Sequence, residues 1–255
     1  MLVAAALCAL TWSPTGAKPQ AHEVARAHAG PQPMTKSPAT THPLAELGFA
    51  HRLERPERAN GDVLVLLHGS GGDEETLIPM AREAAPGATL LGVRGRVMQD
   101  GVTRWYRRVT AVRFDQRDIR SEAQAFADFL GQAVETYGLE EARLGFVGYS
   151  NGANLVAALA LLKPRLVRQA ALLRAMPVLD KPPAGDLSRS RFLVVAGRDD
   201  QLYARYSPAL EQALSKRGAL VEAHLIAAGH MLTEEDTRLV GAWLAGGPAV
   251  SMATE

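Results

Sequence analysis

A chain of 255 residues, 47% of them hydrophobic, is long enough to bury a substantial core. Its 28 Lys and Arg balance 27 Asp and Glu to a formal net charge of +1, which gives no footing for nucleic acid or an acidic surface. The single cysteine, Cys8, excludes an internal disulfide framework and a cysteine-rich metal site, and no apolar run reaches the roughly 18–20 residues that span a bilayer.

The first 43 residues stand apart. "MLVAAALCAL" resembles the apolar region of a secretory signal and "SPTGA" ends in small residues suited to cleavage, yet no Lys or Arg precedes the run. From Thr15 to Pro43 the chain is rich in Pro, Ala, Thr, His and Gln and has little to bury. A disordered tail is expected over 1–43, either a signal segment or the product of a misassigned start, since Met34 stands where a shorter chain would begin. A cytoplasmic protein is expected, with secretion or the periplasm as the minority alternative.

Residues 44–248 read as one α/β domain. "GFAHRLERP" (48–56) suits an edge strand. "VLVLL" (63–67), "ATLLGV" (88–93), "RLGFVGY" (143–149), "QAALLRA" (169–175), "RFLVVAG" (191–197) and "VEAHLI" (221–226) are short and mostly apolar on both faces, as strands of a covered parallel sheet are. Helices fall between them. Ile119, Ala123, Phe126, Leu130, Ala133 and Tyr137 recur at spacings of three and four, and Gly138 ends that stripe. "NGANLVAALALLKP" ends at Pro164, "YSPALEQALSKRG" ends at Gly218, and "TEEDTRLVGAWLAGG" opens with Thr233 and acidic residues. The alternation predicts a doubly wound, mostly parallel sheet.

In such a sheet, functional groups gather beyond the carboxyl ends of the strands. Gly148-Tyr149-Ser150-Asn151-Gly152 fits G-x-S-x-G between an apolar strand and an apolar helix, the context of a nucleophile elbow. The glycines give clearance for a sharp turn, and the helix N-terminus favours developing negative charge. A helix-capping serine is the plainer alternative.

A serine hydroxyl needs a base. Two histidines follow Ser150. His224 sits within "VEAHLI", where a structural role is expected, whereas His230 in "AAGHMLTEE" lies just past a strand end. Asp199 and Asp200 follow "RFLVVAG" directly, and the pattern leaves open which of them orients His230. The backbone N–H of Asn151 and that of Ser70, in the loop His68-Gly69-Ser70-Gly71-Gly72, are the expected oxyanion donors. That loop lacks the lysine of a P-loop, and Glu74 breaks the dinucleotide pattern G-x-G-x-x-G. His68 precedes the serine and reads as a support for the loop.

At these residues the chain resembles the α/β-hydrolase superfamily, and within it the phospholipase/carboxylesterase group that includes the acyl-protein thioesterases. "LLHGSGGDE", "GYSNGAN", "VVAGRDD" and "AGHMLT" carry the resemblance, in order, over roughly residues 48–245. It implies an α/β-hydrolase fold without a large lid domain. Because the group carries G-x-x-D-P after this strand, the resemblance selects Asp200 over Asp199, although Gln201 replaces the proline. It implies a carboxylesterase acting through an acyl-enzyme, with a catalytic triad of Ser150, His230 and Asp200. The alternatives are acyl-protein thioesterase or lysophospholipase activity, or a non-catalytic binding module. The segment 92–108 resembles one that lies beside the substrate, which makes Trp105 and Tyr106 candidate pocket residues, with Met176 in the same position. No metal or organic cofactor is implied. The expected partner is a small-molecule ester, with no nucleic acid and no stable membrane insertion; a homodimer is allowed.

Overall fold

Apolar runs that alternate with amphipathic ones build a sheet covered on both faces, and this is the architecture of the computed structural model, which describes residues 47–246. The expectations for 1–43 lie outside the described residues. In chain order the elements begin with β1 (His51–Glu54), β2 (Val63–Leu67), α1 (Ile78–Ala84) and β3 (Thr89–Val93). Two small hairpins follow, β4 (Val97–Gln99) with β5 (Val102–Arg104) and β6 (Arg108–Thr110) with β7 (Arg113–Phe114). Then come α2 (Gln116–Tyr137), β8 (Leu144–Tyr149), α3 (Asn151–Leu162), β9 (Gln169–Leu173), β10 (Arg191–Gly197), α4 (Ser207–Ser215), β11 (Leu220–Ile226) and α5 (Glu234–Ala245).

The seven-stranded sheet has the order β1-β3-β2-β8-β9-β10-β11. Only β1 runs antiparallel to its neighbour; every other pair is parallel. Side chains along each central strand alternate between two cores. Val63, Val65 and Leu67 of β2 point into the larger one with α2, α3 and α4, while Leu64 and Leu66 join Ile78 of α1 and Val240 and Trp243 of α5 on the other face. Burying a side chain of this kind contributes roughly 1.5–3 kcal/mol, so the two-faced pattern fixes both the layers and the register.

Local signals set the helix ends. Asp115 caps α2 by accepting from the Arg117 and Asp118 amides, and Gly138 closes it in the left-handed region at φ 58°. Thr233 and Asp236 form a reciprocal capping box at the start of α5. α3 is buried from Asn151 to Leu161, which explains its apolar residues on all sides. The strand "VEAHLI" is the outer edge of the sheet, with Leu220 and Leu225 exposed, and His224 bonds Glu222 at 2.8 Å on it. The glycine-rich loop leads through turns at 74–77 into α1.

Candidate active site

Four loops meet beyond the carboxyl ends of β2, β8, β10 and β11. β8 turns into α3 at Ser150, whose φ of 51° and ψ of −112° lie outside the regions that L-residues favour. A side chain on Gly148 would sit 2.5 Å from Ala153 Cα, and one on Gly152 would strike the carbonyl oxygens of Leu67 and His68. The first glycine therefore lets the helix fold back on its own strand, and the second lets it pass the end of β2. The Ser150 amide donates to the Leu173 carbonyl at 2.8 Å, which ties the turn to the end of β9.

The structure brings Ser150, His230 and Asp200 into one hydrogen-bonded chain. Ser150 Oγ lies 2.9 Å from His230 Nε2, and His230 Nδ1 lies 2.6 Å from Asp200 Oδ2. The arrangement is consistent with the tautomer that carries its proton on Nδ1, leaving Nε2 to accept from the serine. The Asp200 side chain is 5% exposed and also accepts from the Tyr203 amide at 3.1 Å, while Asp199 is exposed. His230 is flanked by the rings of Tyr203 and Tyr149, at centroid distances of 4.9 and 5.6 Å.

Opposite the serine lies the loop after β2. A Cβ on Gly69 would strike the Tyr149 ring at 2.7 Å and come within 3.6 Å of Ser150 Cβ, so the loop packs closely against the turn that carries the serine. The amides of Ser70 and Asn151 have no hydrogen-bond partner among the described residues. His68 holds the loop from below: its Nδ1 donates to the Gly69 carbonyl at 2.6 Å, and its Nε2 accepts from the Gly95 amide at 2.9 Å. Burial pushes its pKa below the ordinary value of 6.5, which keeps the ring neutral in both roles.

Trp105, Tyr106 and Met176, the candidate pocket residues, are buried. They are 1%, 0% and 3% exposed, packed in the core rather than along an open wall. The reason is two buried asparagines on α3. Asn151 Oδ1 accepts from the Trp105 amide at 2.8 Å; Asn154 Oδ1 accepts from the Met176 amide at 2.8 Å, and its Nδ2 donates to the Tyr106 hydroxyl at 3.1 Å. Both segments are pulled onto the helix that begins at the serine, and burial raises the Tyr106 pKa. These side chains support the site from behind.

Comparison with known proteins places the chain in a family. No family model matches the chain. "Putative hydrolase MhqD" of Bacillus subtilis (strain 168) is 33% identical over 189 residues, covering 73% of this chain and 94% of its own. The chain belongs to the α/β hydrolases, alongside carboxylesterases. A carboxylesterase structure from Mesorhizobium loti is 47% identical, covers 82% of this chain and 99% of its own, and superposes with a TM-score of 0.78. A Bacillus cereus carboxylesterase is 28% identical, covers 80% and 96%, and has a TM-score of 0.76.

Within this α/β hydrolase one further residue shapes the site, and no sequence motif marks it. Arg174 follows β9 at φ 56° and is fully buried with Asp236, its Nη1 and Nη2 lying 2.7 and 2.9 Å from the two carboxylate oxygens. Its Nε donates to the Gly229 carbonyl at 2.9 Å and its Nη2 to that of Met231 at 3.2 Å. Arg174 thus grips the chain on both sides of His230. Asp236 in turn accepts from the Thr233 amide and hydroxyl, which fixes the start of α5. Among the described residues no cluster of three or more His, Cys, Asp or Glu is arranged to hold a metal ion, and no helix is long and apolar enough to cross a membrane.

Proposed function

We propose that this α/β hydrolase is a serine carboxylesterase that works through an acyl-enzyme. The observation that carries the reading is the continuous chain Ser150–His230–Asp200 beside two unpartnered amides. Ser150 Oγ attacks the ester carbonyl while His230 Nε2 takes its proton; Asp200 orients the imidazole and stabilises the imidazolium. The carbonyl oxygen, now negative, accepts from the Ser70 and Asn151 amides. Collapse expels the alcohol, which takes the proton from His230, and a water activated by His230 then releases the acid and restores the serine. The strained backbone at Ser150 supports the same reading, because a capping serine has no need of a positive φ.

Labelling with a fluorophosphonate probe, followed by peptide mapping, tests the proposal. The adduct is expected on Ser150. Ser150→Ala should abolish both the adduct and ester hydrolysis, and Asp200→Asn should lower kcat by about 10⁴-fold with labelling slowed in parallel. An adduct elsewhere, or hydrolysis unchanged in Ser150→Ala, overturns it.

A further inference from the structure

Among the described residues three arginines have a buried Nε without a hydrogen-bond partner: Arg52, Arg104 and Arg191. Arg52 has carboxylates beside it, with Glu75 at 2.7 Å and Glu54 at 3.9 Å. Arg191 donates through Nη1 to the Trp243 carbonyl and through Nη2 to Gln169 Oε1, with its guanidinium over the Trp243 ring at 4.0 Å. Arg104 has neither provision. It is 5% exposed and forms no ion pair among the described residues, and its one side-chain bond runs from Nη1 to Ser70 Oγ at 2.9 Å. The edge formed by Nε and Nη2, which engages a carboxylate in paired arginines, has no acceptor.

The location gives this a meaning. Ser70 is exposed, and Gly69 before it packs against Tyr149 and Ser150. The Gly71 amide bonds the Thr103 carbonyl at 2.8 Å, so the β5 end that carries Arg104 is fastened to the same loop. Tyr203, whose ring faces His230, lies within electrostatic reach of the guanidinium. Arg104 is therefore a buried cation held directly against the loop that carries the Ser70 amide. Burial and the charge of Arg108 both disfavour its ionised form, and Asp100 opposes them without forming an ion pair. The surrounding segment 97–120 holds six arginines and three aspartates in a chain whose net charge is +1, which draws anions toward this side of the cleft. A buried cation without a counter-ion is costly, and at a binding site the missing partner is supplied by the ligand.

We propose that Arg104 binds a carboxylate carried by the acyl part of the substrate, so that the site takes monoesters of short dicarboxylic acids. The proposal rests on the serine esterase reading, because it needs the ester carbonyl held at Ser150. With the carbonyl there and its oxygen on the Ser70 amide, a second carboxylate a few carbons away meets the guanidinium that already holds the Ser70 side chain.

The test compares monoethyl glutarate with the neutral ester ethyl valerate, following ethanol release by wild type, Arg104→Met and Arg104→Lys. Wild type should have the higher kcat/KM for the monoester. The ratio of the two values should fall at least about tenfold in Arg104→Met and less in Arg104→Lys, as expected for loss of a charge-assisted hydrogen bond. The ratio cancels any general damage to the Ser70 loop, which lowers both esters together. A wild-type preference for ethyl valerate, or a ratio unchanged in Arg104→Met, overturns the proposal. Should Arg104→Met fail to fold, wild type decides through salt: kcat/KM must fall with ionic strength for monoethyl glutarate and not for ethyl valerate, and equal behaviour overturns it. Fluorophosphonate labelling of the same preparations separates the two readings. No adduct at Ser150 is a failure of the esterase reading; an adduct with a ratio insensitive to Arg104 is a failure of this inference alone.

Discussion

Arg174 and Arg104 both send a buried guanidinium toward the loops that surround Ser150, and they are housed in opposite ways. Arg174 meets Asp236 through two parallel bonds and directs two further donors to the carbonyls of Gly229 and Met231. Arg104 has one bond, to a serine hydroxyl. A cation sealed in low dielectric needs a counter-charge, and when the protein provides it the result is framework. When the protein withholds it, the pocket selects for whatever brings it. His68 shows a third solution, because it is buried in the neutral form and has no charge to compensate.

Breaking the saturated pair should have the largest effect. Asp236→Asn or Arg174→Met leaves one charge buried and unpaired, and a loss of about 3–5 kcal/mol in unfolding free energy is expected from denaturant titration. Replacing both, Arg174→Met with Asp236→Leu, sharpens the contrast. Most of the stability should return, since no charge remains uncompensated, but kcat should stay low because the grip on the His230 loop is gone. Recovery of both together would show that Arg174 has no part in positioning His230.

Arg104→Met should lie at the other extreme, within about 1 kcal/mol of wild type or slightly above it, because it removes a cation that no carboxylate in the described chain compensates. A loss as large as that of Arg174→Met would show that Arg104 is framework too.

His68 gives the smallest effect, and pH reveals it. Its folded pKa is depressed relative to the unfolded value of about 6.5, so the unfolded chain binds the extra proton first. The stability it contributes is present in full above pH 6.5 and is lost as pH falls from there toward the lowered folded pKa. The difference in Tm between wild type and His68→Gln should therefore shrink on acidification from pH 8 to pH 5. A constant difference across that range would mean that His68 does not titrate differently on folding.

Much of this arrangement is legible in the residues themselves. The apolar runs, the stripe from Ile119 to Tyr137 and the glycines around Ser150 report local geometry, and local geometry follows from a few neighbouring side chains. His230 could be chosen because it lies past a strand end, where His224 does not. Asp200 could not be separated from Asp199 by pattern, because adjacent residues in a turn differ only in direction; the resemblance to a known family made that choice. Arg174 and Asn154 left no local trace. Their partners lie 55 and 62 residues away for the first, and 48 and 22 for the second, and such contacts exist only once the sheet is assembled. The burial of Trp105 and Tyr106 is equally hidden in the sequence. An aromatic ring suits a pocket wall and a core equally well, and the asparagines that draw these two inward are on another element. β4 to β7 are two or three residues long, too short for any periodicity to show.

The twisted backbone at Ser150 has a consequence for how this protein persists. A residue with a Cβ held at φ 51° and ψ −112° costs on the order of 1–3 kcal/mol, and glycine at the same place escapes most of it. Ser150→Gly should melt at a higher temperature than wild type while being inert toward esters. A lineage under selection for folding alone would drift toward that variant, and a screen for thermostable clones would recover it. The backbone that presents the serine hydroxyl thus carries a stability cost that glycine would relieve.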